Sequence, residues 1–223
     1  MLHFKNQITK LIPRNVELGL FLYNFQNDEK IAINENKLLP LASITKLIVA
    51  CLALQNGTSL NKQVIFDSIS IHSNESYNKI LSELSIPEIN AMFKVENTDL
   101  HINSDNRDAI NNIGSAQGLY YFLSDMLVGE KLSFKDKKIV LNALKKQQDI
   151  DGFRFHDIGT WAHMTGGMDG ICNDIGILEI DNQKYFIAGL VKTDDLSINW
   201  MTLEKTLQDI GEIIKQVVTV EEK

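Results

Sequence analysis

The sequence predicts a mixed α/β fold of the α+β kind. Its core is an antiparallel five-stranded sheet flanked by N- and C-terminal helices, with a reduced helical lobe beside it. Three observations carry this expectation. Segments of strand composition fall at the two ends of the chain, two before Pro40 and three after Gly159. Between them, helical periodicity and cap residues dominate. The last segment is an amphipathic helix that needs an apolar sheet to cover. The chain has 223 residues, enough for a single domain over 1–223. Its sheet lobe would take about 1–40 and 150–223, and its helical lobe about 41–149.

Phe4 to Leu11 reads as a short helix, stopped by Pro13. Val16 to Tyr23 has strand composition, and Lys30 to Ile33 pairs with it across Asn27-Asp28-Glu29. After Pro40 the pattern turns helical. Ser43 to Leu54 carries apolar residues all round, the mark of a buried helix. Ser73 to Gln148 is mostly helical with polar loops. Within it, Ser115 is an N-cap for Ala116 to Leu127, Gly129 a stop, and Ser133 the start of a helix from Phe134 to Gln147. Strand composition returns at Thr160 to Thr165, Asn173 to Glu179 and Tyr185 to Val191. A hairpin turn at Asp181-Asn182-Gln183 joins the last two. Leu196, Trp200, Leu203, Leu207, Ile210, Ile214 and Val217 then recur at alternating steps of four and three. That stripe is expected to pack on the chain's own sheet.

Composition narrows the function. Hydrophobic residues make up 44% and charged residues 23%, as in ordinary soluble globular proteins. The net charge of -7 argues against nucleic acid as a partner, because phosphate binding needs a basic face. The longest apolar run, near Leu47, is too short to span a bilayer. Met1 to Lys10 lacks an apolar core of signal-peptide length, so the chain as written is expected to be cytoplasmic. A trimmed exported protein would read the same. Cys51 and Cys172 have no motif spacing and read as core thiols. The histidines, His3, His72, His101, His156 and His163, form no metal-ligand pattern, and no phosphate loop occurs. No metal or cofactor is called for. The expected partner is a small-molecule or peptide substrate, and the oligomeric state is left open.

The chemical signal is Ala42-Ser43-Ile44-Thr45-Lys46, which opens the buried helix after a polar loop. Ser43 and Lys46 are three apart and share a helix face. A serine hydroxyl needs a base, and a lysine serves once burial lowers its pKa. On spacing alone, Ser43 as a helix cap with Lys46 reaching to solvent is the better reading, because Ser-x-x-Lys is common.

The wider segment Leu39 to Leu47 resembles the nucleophile helix of class A β-lactamases and penicillin-binding proteins, a family that pairs Ser-x-x-Lys with Ser-x-Asn and Lys-Thr-Gly motifs. Trp161 to Leu178, with Thr165-Gly166-Gly167 and Asn173-Asp174-Ile175-Gly176, resembles the Lys-Thr-Gly strand, its turn and the next strand. In that register Met164 replaces the family's lysine. His163 points to the opposite face of the strand and is a poor substitute. The second motif has two registers. In the favoured one, His72-Ser73-Asn74 fills it and His72 stands for the family's proton-shuttling serine. In the other, Ser76-Tyr77-Asn78 is the literal match.

The resemblance implies an acyl-serine at Ser43, with Lys46 as base and His72 assisting at the leaving group. Asn74 and Thr165 would hold the substrate, and the backbone N–H groups of Ser43 and Gly167 would form the oxyanion hole. It also implies an amide or ester substrate, β-lactams and peptidoglycan-like peptides included. The family's water-activating glutamate has no counterpart, since Glu96 and Asp99 lack the Glu-x-x-x-Asn context. Slow or absent β-lactam hydrolysis is therefore expected. The alternatives are a catalytically inactive binding protein of the same fold, or a glutaminase-type amidase.

Overall fold

The structure is a computed structural model, and it describes residues 2–103 and 110–220. The elements in order are α1 (Leu2–Leu11), β1 (Val16–Asn24), β2 (Lys30–Ile33), β3 (Leu39–Pro40), α2 (Ile44–Gln55), α3 (Lys62–Ser70), α4 (Asn74–Leu81) and α5 (Ile86–Val95). There follow β4 (Leu100–His101), β5 (Ile113–Gly114), α6 (Ala116–Leu123), α7 (Phe134–Lys145), β6 (Thr160–Met168), β7 (Ile171–Ile180), β8 (Gln183–Thr193) and α8 (Trp200–Val220).

The main sheet has five antiparallel strands in the order β2-β1-β8-β7-β6. The first and last strands of the chain's sequence meet in it, with Leu20 of β1 opposite Gly189 of β8. Both faces are covered, so the strands are apolar on both sides. On one face Phe21, Ala162, Met164, Ile175, Ile177 and Phe186 pack against α2 and the helices beyond it. On the other, Leu20, Leu22, Trp161, Cys172, Leu178 and Ile187 pack against Ile8 of α1 and Leu203, Leu207, Ile210 and Ile214 of α8. Cys51 and Cys172 are free, buried thiols, one in each core.

Several boundaries differ from the expectation, each for a local reason. The terminal helix starts at Trp200, because Asn199 accepts from Thr202 N at 3.0 Å and caps it. Leu196 lies before that start and is exposed, so it drops out of the apolar stripe. The helix from Ala116 stops at Leu123, and Ser124–Val128 form a wider π turn closed by Gly129 N donating to Ser124 O at 2.7 Å. A Cβ on Gly129 would come within 2.8 Å of Asp125 O, so only glycine fits that stop. Helix α3, which the sequence does not predict, is capped by Asn61 accepting from Gln63 N and buries Ile65 and Ile69. Strand β6 runs through Gly166 and Gly167, which pair with Asn173 and Cys172. The β7–β8 hairpin is closed by Asp181 and Asn182 at φ 46 and 64, the left-handed pair of a type I′ turn.

The small sheet β3-β5-β4 clamps the chain just ahead of α2: Leu39 lies opposite Gly114, and Leu41 N donates to Asn112 O at 2.7 Å. Among the described residues, no helix is long and apolar enough to cross a membrane.

Phe153 is fully buried, stacks on Phe155 and fills the space over Gly189, where a Cβ would strike its ring. Phe153→Ala is expected to cost about 3–5 kcal/mol, read as a lowered urea midpoint.

Candidate active site

Leu41 to Lys46 turn sharply into α2. Ala42 takes a left-handed φ of 49, rare for a residue with a Cβ. Thr45 Oγ1 donates to Ala42 O at 2.9 Å, and Ile44 N donates to Leu41 O at 3.1 Å. Ser43 has helical dihedrals and its side chain makes no cap bond. The hydroxyl that would otherwise cap the helix is therefore free to meet Lys46, whose Nζ lies 3.1 Å from Ser43 Oγ. Every residue from Ile44 to Leu54 is buried, and Lys46 is only 7% exposed. Loss of water lowers its amine to about 8. Nζ also lies over the Tyr77 ring, 5.5 Å from its centroid.

The edge strand reaches this turn through a glycine. A Cβ on Gly166 would lie 2.7 Å from Leu41 O and 3.2 Å from Ile44 N, so only a bare Cα allows the contact. Asn173, opposite Gly166 on β7, ties the same turn: its Nδ2 donates to Pro40 O at 2.9 Å, and its Oδ1 accepts from Val191 N. Gly167 follows, beside the Trp200 indole.

These elements enclose a pocket of about 200 Å³ lined by Ser43, Lys46, Asn74, Tyr77, Asn112 and Gly167, among others. It brings together four of the six site residues that the sequence singles out: Ser43, Lys46, Asn74 and Gly167. His72 and Thr165 are not in its lining. His72 has a left-handed φ of 54 in the turn before α4, Ser73 caps that helix by accepting from Ser76 N, and Asn74 opens it. Among the described residues, the hydrogen-bonding contacts of His72 Nε2 are Gln147 Nε2 at 2.8 Å and Thr165 Oγ1 at 3.5 Å. Burial, with Lys46 nearby, lowers His72 to about 4. In the other register, Ser76 and Tyr77 are buried, Asn78 is exposed, and only Tyr77 lines the pocket. Glu96 pairs with Lys131 and Asp99 accepts from Ser115, both away from the pocket.

His163 lies on the other side of the sheet from the pocket, stacked on Trp161 and bonded through Nδ1 to Asp174 at 2.8 Å. The Asp149 carboxylate sits beside Thr165. Burial raises its pKa, but hydrogen bonds from the Asp151 backbone and the Thr165 hydroxyl outweigh this and leave it lowered. Four polar or aromatic residues around the site were not singled out from the sequence: Asn112, Tyr77, Gln147 and Asn173. Tyr77 and Asn173 lie inside segments that resemble the family motifs, whereas Asn112 and Gln147 carry no motif signal.

An antiparallel five-stranded sheet, a buried helix that opens on a serine–lysine pair, and an edge strand carrying Thr-Gly beside it define the class of penicillin-recognising serine enzymes. A sequence model of the beta-lactamase enzyme family matches residues 58–218, and the chain belongs to that family. Among solved structures it is similar to PBP-A, at 19% identity and a TM-score of 0.87, over 98% of this chain and 96% of that one. It is also similar to a beta-lactamase from Chitinophaga pinensis, at 16% identity and a TM-score of 0.84, over 97% of this chain and 100% of that one. For the TLA-1 extended-spectrum beta-lactamase the values are 17% and 0.86, over 97% and 98%. No curated protein matches the chain. These structural likenesses establish the fold.

The lowered pKa of His72 has a consequence for stability. Between about 6.5 and about 4 the unfolded chain binds a proton at this site that the folded one does not, so stability falls as pH falls through that window. His72→Gln is expected to flatten this part of the stability profile, measured by urea unfolding at pH values of about 7 and about 4.5.

Proposed function

We propose that the chain is a serine hydrolase that works through an acyl-enzyme at Ser43. The observation that carries this reading is the contact of 3.1 Å between Lys46 Nζ and Ser43 Oγ inside a pocket that desolvates the amine. A neutral Lys46 takes the hydroxyl proton as Ser43 Oγ attacks a carbonyl carbon. The N–H groups of Ser43 and Gly167 receive the oxyanion. Collapse expels the amine or alcohol, which takes a proton relayed from the Lys46 ammonium, with His72 assisting by hydrogen bonding. Water then cleaves the acyl ester. Asn74 and Thr165 orient the substrate.

The expected substrate is an amide or ester with no carboxylate next to Thr165. Met164 supplies no cation there, and a lost charge-assisted contact is worth about 1.5–3 kcal/mol, or about ten- to a hundredfold in affinity. The Asp149 carboxylate beside Thr165 adds repulsion to that loss. β-Lactam hydrolysis is accordingly expected to be slow or absent. Binding without turnover is the second reading, favoured by the same departures at His72 and Met164.

Intact mass after incubation with a penicillin and with an activated neutral ester tests the reading. An adduct that is lost in Ser43→Ala is expected, forming faster with the ester than with the penicillin. No adduct and no turnover with either probe would move the assignment to the binding protein, and turnover of glutamine would point to the amidase. The acylation rate should rise with pH through about 8 as Lys46 loses its proton. Lys46→Ala should lower that rate by about 10²–10⁴-fold, read by stopped-flow acylation.

A further inference from the structure

Gln147 follows α7 and is buried, with 8% exposure. Two backbone contacts fix which end of its amide is which. Its Oε1 accepts from Asp149 N at 3.2 Å, and its Nε2 donates to Ile69 O at 2.9 Å. A backbone N–H only donates and a carbonyl only accepts, so the flipped amide would break both bonds. The second N–H of Nε2 faces His72 Nε2 at 2.8 Å, with the weakly accepting Met164 Sδ alongside at 3.4 Å. An amide nitrogen has no lone pair to offer, so His72 Nε2 must be the acceptor, and the ring proton sits on Nδ1.

We propose that Gln147 is a positioning residue for acyl transfer, holding His72 as the neutral imidazole protonated on Nδ1. The inference rests on the acyl-transfer reading for its purpose and on the hydrogen-bond geometry for its content. Its chemical consequence is directional. His72 can donate from Nδ1, but its Nε2 can take a proton only by giving up the Gln147 bond. The same amide lies against Met164, where the family resemblance places a lysine. An ammonium there would face N–H donors, so methionine and Gln147 suit one another. The charged or titratable groups that act on His72 are Lys46 from α2, Asp149 from the loop after α7 and His163 from β6. Burial, Lys46 and His163 favour the neutral ring, and Asp149 opposes them.

The test is two-bond ¹H–¹⁵N correlation NMR on the full chain with ¹⁵N-labelled histidine, the His72 signals being identified by their loss in His72→Gln. In the wild type, Nδ1 should be protonated and Nε2 pyridine-like from about pH 8 down to about pH 5.5. Gln147→Glu places an acceptor at Nε2. It should move the proton to Nε2 and raise the titration midpoint by more than about 1 pH unit. Gln147→Leu removes the donor without adding a charge and should give a tautomer mixture, which keeps the test open if the glutamate variant does not fold. Ester acylation should fall in Gln147→Leu by no more than in His72→Gln, with no further fall when Gln147→Leu is added to His72→Gln. The same His72 tautomer in wild type and variants overturns the assignment. Tautomer changes in a protein that no ester acylates would support the Gln147–His72 geometry and count against acyl transfer instead.

Discussion

At Gly166 the edge strand of the sheet comes against the turn that leads into α2, with no side chain between them. The position of the site depends on that approach. It sets Gly167 beside Ser43, and it lets Asn173 on the next strand reach Pro40 O. The other side of the turn is held by the small sheet, through Leu41 N to Asn112 O. Ala42 is thereby kept in a left-handed conformation that an isolated chain would rarely adopt.

Desolvation sets the electrostatics of this site. Helix α2 is buried along its length, so Lys46 enters the pocket from an apolar wall with Ser43 as its hydrogen-bonding neighbour. The resulting fall in its pKa is what makes a lysine useful as a base near neutral pH. Burial acts in the same sense on His72, which stays neutral near the amine. Two basic side chains can thus share a small volume without two positive charges.

The residues at the proposed departures from the family motifs form a connected group. Gln147 touches both His72 and Met164, and Thr165 and Asp149 border them. In the register that the resemblance implies, a thioether stands there in place of a cation, and the Asp149 carboxylate adds a negative charge beside Thr165. The serine and lysine at the head of α2 bond to each other rather than to this group.

Most of the fold was legible in the sequence because its signals are local. Alternating apolar residues define a strand, the steps of four and three define α8, and serine–lysine spacing on a helix places two side chains on one face. The resemblance of the Ser43 and Thr165 segments to one family added the pairing of elements far apart in the chain. What only the tertiary structure decided are contacts between residues with no fixed spacing. Asn112 and Gln147 carry no motif, and the two-residue strands β3, β4 and β5 are too short for periodicity to reveal. The tautomer of His72 depends on a glutamine 75 residues away, and the direction of that hydrogen bond follows from two backbone groups that only folding brings together.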